Sequence, residues 1–257
     1  MIRLGSFVAL TIFVSATIVF AQEDQPNLSL DRLVAAYPKA LAGHDADVLH
    51  WRDGTVMPLS DGTAHKTFDE RLRHASIADQ LRIPYARGPL LKPPAIDADA
   101  GRFRNRAFFT KMYGDCTKGE LAPHLVTITW LPKTWGKPIR ITSVNQVDQR
   151  LLLVSAEIDA LPAKIKHAAY PISGTYNCRA IAVTGQPSPH GYGIAIDLNT
   201  AISDYWYWRP HSGTLRYRNR MPAEIVAIFE KHGLIWGGKW YHFDTMHFEY
   251  RPELLTP

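Results

Sequence analysis

The sequence predicts an α+β fold, and three observations carry that reading. Strand-like runs at Leu125–Trp130 and 139–142 stand next to a helical repeat of apolar residues at Val147, Leu151, Val154, Ile158 and Leu161, which Pro162 ends. A second helical face, Ile225, Ile228, Phe229 and His232, follows Pro222 and is stopped by Gly233. The strands and helices are interspersed without the regular βαβ rhythm of a doubly wound sheet. Composition agrees with a single large domain. The chain has 257 residues, 46% hydrophobic and 21% charged, enough to bury a sizeable core and unlike a disordered, collagen-like or coiled-coil chain. Its net charge of +5 suits an anionic partner but is too small to argue for nucleic acid.

Taken in order, residues 1–21 have the layout of a secretory signal peptide. Arg3 precedes an uncharged stretch from Leu4 to Ala21, and Val19-Phe20-Ala21 places small residues before Gln22. An uncleaved anchor is the other reading, since the uncharged stretch just suffices to span a bilayer. Cleavage leaves 28 basic against 24 acidic residues and predicts an exported protein, in the periplasm or cell envelope, with no stable membrane span. Residues 22–115 read as a turn-rich extension packing on the core. Asp53-Gly54 and Asp61-Gly62 bracket a small β ribbon around 56–59, and Pro89, Pro93 and Pro94 mark an extended loop. Residues 193–198 read as a short buried strand and 241–250 as another.

Export bears on Cys116 and Cys178. In an oxidising compartment they are expected to pair, closing a loop that the chain-entropy model values at roughly 4 kcal/mol. Two buried thiols or a thiolate nucleophile are the other readings.

Three clusters carry chemistry: Tyr176-Asn177-Cys178-Arg179, the stretch 188–197, and the stretch 244–250. None is specific alone, because a histidine near a strand end is more often a hydrogen-bonded core or surface residue than a ligand. Context sharpens the reading. Gly191 and Gly193 allow a tight turn that brings His190 near Asp197. Ile194, Ala195 and Ile196 would bury the strand bearing Asp197, and a buried carboxylate needs a cation, a metal or several donors. Imidazole and carboxylate suit zinc, and His190, Asp197 and His247 would supply three ligands with one position open. Asp244, three residues before His247, can share its side in a helical turn or bent loop but not in a flat strand, and a carboxylate there could accept a proton from zinc-bound water without ligating the metal. Arg179 can hold a carbonyl oxygen as charge develops on it.

At this point the pattern resembles a known family. Ser-x-His-x-x-Gly-x-Ala-x-Asp at 188–197 and Trp-x-x-x-Asp-x-x-His-Phe-Glu at 240–249 resemble the zinc peptidases of bacterial peptidoglycan, the D-alanyl-D-alanine carboxypeptidase family with its VanY-like carboxypeptidases and endolysin-type L-alanyl-D-glutamate peptidases. The resemblance covers residues 174–254 and continues more loosely back to Gly114-Asp115-Cys116; residues 22–100 carry no familiar motif. It implies a peptidase domain over 116–257 of the hedgehog/DD-peptidase type, a small antiparallel sheet with flanking helices. It also implies one Zn2+ on His190, Asp197 and His247, with Asp244 as catalytic carboxylate. Peptidoglycan stem peptides are the implied partner. Asp rather than Glu at position 244 tilts the expected bond toward an L-Ala-D-Glu-type endopeptidase, with D-Ala-D-Ala carboxypeptidase activity or a non-catalytic wall-binding module as alternatives. The family's arginine falls nearest to Arg179, in a context that departs from the commoner Gly-aromatic-Arg-Ser form.

Several residues have plainer readings. His242 competes as a ligand, whereas His211 and His232 read as surface or helix-end residues. Glu249 either orients His247 or forms a simple salt bridge. Tyr205-Trp206-Tyr207-Trp208 offers a sugar platform or, as a strand, two inward and two outward rings. Trp236 and Trp240 wall the cleft or pack the core, and Arg216, Arg218 and Arg220 read as a solvated basic strand face. No phosphate-cradling glycine pattern occurs, so no nucleotide cofactor is expected.

Overall fold

In the computed structural model, which describes residues 26–208 and 215–256, the elements predicted for the second half form close to where the periodicity put them. The expected signal segment 1–21 and His211 lie outside the described residues. The first half holds more regular structure than its turn signals suggest. Helix α1 (Pro26–Ala36) leads into an antiparallel meander, β1 (Leu41–His44), β2 (Val48–Trp51) and β3 (Val56–Pro58). Two short helices follow, α2 (Phe68–Arg73) and α3 (Ile77–Leu81), each opened by a capping box, on Thr67 with Glu70 and on Ser76 with Asp79. Strand β4 (Tyr85–Ala86) precedes the proline loop, and α4 (Arg106–Tyr113) buries Phe108, Phe109, Met112 and Tyr113.

The second half begins with the hairpin β5 (Leu125–Trp130) and β6 (Lys137–Thr142). Helix α5 (Val147–Asp159) buries Val147, Leu151, Val154 and Ile158, the predicted stripe, and α6 (Ala163–Lys166) follows Pro162. The functional sheet is three-stranded and antiparallel, in the order β7 (Ala195–Asp197), β9 (His247–Tyr250), β8 (Leu234–Trp236). Helix α7 (Ala223–Lys231) lies against it, with Phe229 stacked on Phe248 at 3.9 Å. Strand β10 (Leu255–Thr256) pairs in parallel with β4. Buried side chains of both halves, from Leu33 and Tyr37 to Phe248 and Leu254, form one continuous core. This is a mixed α+β architecture with small sheets. Among the described residues no helix is long and apolar enough to cross a membrane.

The strand expected over 241–250 is shorter, because residues 241–246 turn instead of extending. The aromatic run is also no strand. Residues Trp206–Trp208 form a 3-10 turn that leaves Tyr207 and Trp208 about half exposed, while Tyr205 bridges to Asp244. Arg216, Arg218 and Arg220 are exposed but lie outside any strand, and Arg220 pairs with Asp204.

Cys116 and Cys178 are joined, with Cα atoms 5.7 Å apart. The bond ties the segment after α4 to the strand-like stretch before Arg179, and its Cys116 sulfur lies 3.4 Å from where a Cβ on Gly191 would sit. Another clamp holds α2 and α3 together. Lys66 Nζ, almost fully buried, binds Asp61, Asp79 (2.7 Å) and His74 O (2.9 Å). Lys66 and the Thr63 backbone hold the Asp61 carboxyl below its ordinary range. Burial pushes Asp79 the other way, but hydrogen bonds from Lys66 and Ser76 outweigh it.

Two predictions follow from these clamps. Reducing the disulfide, or replacing both cysteines by serine, lowers the unfolding free energy by about 2–4 kcal/mol in urea titrations. For the Lys66 cluster, folded-state carboxyl pKa values below the unfolded ones give stability that is present above about pH 4 and lost as pH falls through the folded values. The Lys66→Met variant therefore shows a smaller drop in urea midpoint between pH 6 and pH 3 than the wild type.

Candidate metal and catalytic site

The register of the functional sheet creates the site. Strands β7 and β9 pair so that Asp197 stands opposite His247, and opposed residues of an antiparallel pair share a face. His247 Nδ1 lies 2.9 Å from Asp197 Oδ1. His190 reaches the same carboxylate from a 3-10 turn, Pro189–Tyr192, with Nε2 3.2 Å from Asp197 Oδ2. That turn is capped by Ser188, whose hydroxyl accepts from the His190 N–H, and it closes at Gly193, where φ is +65°. Gly193 is required on two counts: its left-handed backbone, and the Thr142 nitrogen 3.0 Å from where a Cβ would be. One ligand-type atom from each of His190, Asp197 and His247 lies within 4.8 Å of the others.

Both imidazoles are oriented from behind. His190 Nδ1 donates to Thr175 O at 2.6 Å, leaving Nε2 for the cluster. His247 Nε2 faces Glu249 Oε2 at 3.2 Å, leaving Nδ1. Glu249 is fully buried and held by Arg104 and by Arg251 Nη1 at 3.2 Å. Burial opposes ionisation of Glu249, but Arg104, His247 and Arg251 keep its carboxyl well below the usual carboxylate range. Burial works against a charge on His247 as well, yet Asp197 and Glu249 raise its pKa to about 9. Asp197 is in turn driven well below the ordinary range, because hydrogen bonds from the two histidines outweigh its burial. Two imidazole nitrogens and a carboxylate, with each far ring nitrogen fixed by a carbonyl or carboxylate, are a donor set that fits zinc. His247 must release its Nδ1 proton to serve.

Asp244 sits on the turn that opens β9. Its carbonyl accepts from His247 N at 3.2 Å, and its own N–H donates to Gly237 O at 2.9 Å. A Cβ on Gly237 would lie 2.6 Å from Asp244 O, so the close approach requires glycine there. Asp244 Oδ1 is buried without a hydrogen-bond partner among the described residues. Burial, reinforced by the charge of Asp197, pushes the Asp244 pKa up to about 6. An unsatisfied buried carboxylate oxygen beside a metal-type cluster is a group poised to exchange a proton.

These groups line one cavity of about 180 Å³, together with Arg102, Arg104, Arg179, Tyr205, Trp206 and Trp240. Arg179 is exposed on its wall; its backbone carbonyl, not its guanidinium, makes the local hydrogen bond, to Ser188 N at 3.0 Å. His242 is outside the cluster. Its Nδ1 pairs with the buried Asp99 at 2.8 Å and its ring lies against Phe68 and Trp206. His232 caps α7 and pairs with Glu157 at 2.6 Å. Trp240 walls the cavity, whereas Trp236 is core, with Nε1 donating to Thr245 O at 2.9 Å.

Sequence reasoning missed Arg102 and Arg104. They belong to a segment with no familiar motif, and their partners His242 and Glu249 lie more than 130 residues further on. The alternating Arg102-Phe103-Arg104 was the one available signal.

No curated protein and no solved structure matches this chain. A family model described as D-alanyl-D-alanine carboxypeptidase matches residues 182–250. That stretch contains His190, Asp197, Asp244 and His247, while Arg179 lies just before it. Over this stretch the resemblance read from the motifs is borne out: residues 182–250 are similar to the D-alanyl-D-alanine carboxypeptidase family.

Proposed function

We propose that the protein is an exported zinc metallopeptidase of the periplasm or cell envelope that hydrolyses peptide bonds in peptidoglycan stem peptides. The observation that carries this reading is Asp244, whose buried and unpartnered oxygen opens on the cavity lined by His190, Asp197 and His247. In this proposal residues 116–257 form the peptidase domain and residues 22–115 an extension packed on it.

His190, Asp197 and His247 hold the metal. When bound, zinc supplies Lewis acidity, polarising a peptide carbonyl and acidifying water. Asp244 accepts the proton of the attacking water and returns it to the leaving amine, work for which a pKa of about 6 is well matched. Arg179, on the cavity wall, stabilises the oxyanion as it forms. Glu249 and the Thr175 carbonyl keep the two imidazoles aimed.

Asp at position 244, the shorter carboxylate, favours an L-Ala-D-Glu-type endopeptidase. The description of the matching family favours D-Ala-D-Ala carboxypeptidase activity as the second reading. A wall-binding module without catalysis has no use for a buried carboxylate at that position.

Mass spectrometry of peptidoglycan fragments incubated with the zinc-loaded protein, beside a chelated control, tests the proposal. Zinc-dependent release of a peptide beginning at D-Glu establishes the endopeptidase, and loss of terminal D-Ala establishes the carboxypeptidase. No cleavage by a folded, zinc-bearing sample sinks both. In the same assay Asp244→Ala loses turnover by at least about 100-fold while binding zinc normally, the size expected for a general acid–base group. Glu249→Gln weakens zinc binding by about 10- to 100-fold in chelator competition, because His247 exchanges a charged acceptor for a neutral amide that supports the imidazole less well.

A further inference from the structure

The cavity contains a third arginine that the catalytic scheme leaves unused. Of its guanidinium groups, that of Arg104 is committed to Glu249, and Arg179 is exposed on the wall. Arg102 differs from both. Its guanidinium lies over the Trp240 ring at 4.6 Å, Nη2 donates to His242 O at 2.6 Å, and Nε lies 3.2 Å from the buried carboxylate of Asp99. Those contacts fix the group on three sides. Nη1 makes no hydrogen bond among the described residues, Nε is buried without one despite its ion pair, and the side chain lines the cavity with Asp244.

The backbone that presents Arg102 is equally constrained. Ala100 O accepts from Trp240 Nε1 at 2.5 Å, and Gly101 O accepts from Arg251 Nη1 at 2.8 Å. Gly101 has φ of +91°, and a Cβ there would strike Ile235 at 2.4 Å. An arginine held this firmly, largely out of solvent and with N–H groups still available, is pre-organised for an anion. Its planar fork suits a carboxylate better than an isolated point charge does.

We propose that Arg102 is a specificity-determining residue that binds a free α-carboxylate on the substrate residue supplying the leaving amine. The proposal rests on the peptidase reading above and deepens it. Both candidate bonds meet the requirement. A terminal D-Ala carries its own α-carboxylate, and a D-Glu joined onward through its side chain keeps its α-carboxylate beside the scissile nitrogen. Arg102 lies outside the matched stretch 182–250, so the family match does not assign it a role.

The experiment compares the zinc-loaded wild type with Arg102→Gln and Arg102→Lys on stem peptides of three kinds: unmodified, amidated at the D-Glu α-carboxyl, and amidated at the terminal D-Ala. The wild type is expected to prefer the free acid by about 10- to 100-fold in kcat/KM, expressed mainly in KM, the range for a charge-assisted hydrogen-bonded pair. Which amidation lowers the rate identifies the carboxylate. Arg102→Gln collapses the acid-to-amide ratio toward one, and Arg102→Lys keeps part of it. A wild type indifferent to both amidations overturns the proposal even if the Gln variant fails to fold, and a Gln variant that keeps the wild-type preference overturns it too. If the wild type cleaves nothing, the peptidase reading fails separately, and calorimetry with N-acetyl-D-alanine and its amide decides the subsite. Acid-selective binding that disappears in Arg102→Gln supports it, and equal binding of acid and amide removes it.

Discussion

Glu249 is fully buried and ionised, and a carboxylate in that position is tolerated only when cations and donors surround it. Three groups do so: Arg104 from the first half of the chain, Arg251 from its own strand end, and His247 from the metal-type cluster. The chain of contacts continues in both directions. Arg251 Nε donates to Glu253, which accepts from Tyr37 just beyond α1, and His247 leads to Asp197 and His190. Removing any one partner weakens the compensation of a buried charge. The fold and the site therefore share one electrostatic network.

That network explains why the first half is more than a covering. The segment 98–104 is stitched to 237–251 by backbone and side-chain bonds: Tyr241 to Ala98, His242 to Asp99, Trp240 to Ala100 and Arg251 to Gly101. Leu72 of α2 lines the same cavity, and Gln186 donates back to the Arg73 carbonyl at 2.6 Å. The disulfide adds a covalent tie directly behind the His190 turn. The wall of the cavity is thus built from segments far apart in sequence, each holding another in place.

Local rules made the second half legible. The apolar stripe of α5, the Pro222 start and Gly233 stop of α7, and the strands β5 and β6 all follow from periodicity and turn or cap residues within short windows. The cluster of His190, Asp197 and His247 was readable because turn glycines let His190 approach Asp197 and because the motifs at 188–197 and 240–249 resemble a known family. Other features escaped for identifiable reasons. Residues 241–246 alternate like a strand, but the Gly237–Asp244 approach and the Asp244 turn override that pattern. The short helices α2 and α3 rest on capping boxes rather than on an apolar stripe of useful length. The roles of Arg102 and Arg104 depend on partners that no local window contains.

The long separation in sequence between the pair His190 and Asp197 and the pair Asp244 and His247 bears on how the site comes into being. As a nascent chain leaves the ribosome, His190 and Asp197 emerge well before their remaining partners, and Arg104 waits longer still for Glu249. A chain stopped between Asp197 and Asp244 has a carboxylate and one imidazole but neither the second imidazole nor the Asp244 carboxyl. Contacts of such long sequence separation must overcome loop-closure entropy before they stabilise the fold. A product that stops before Asp244 therefore lacks half of the candidate centre.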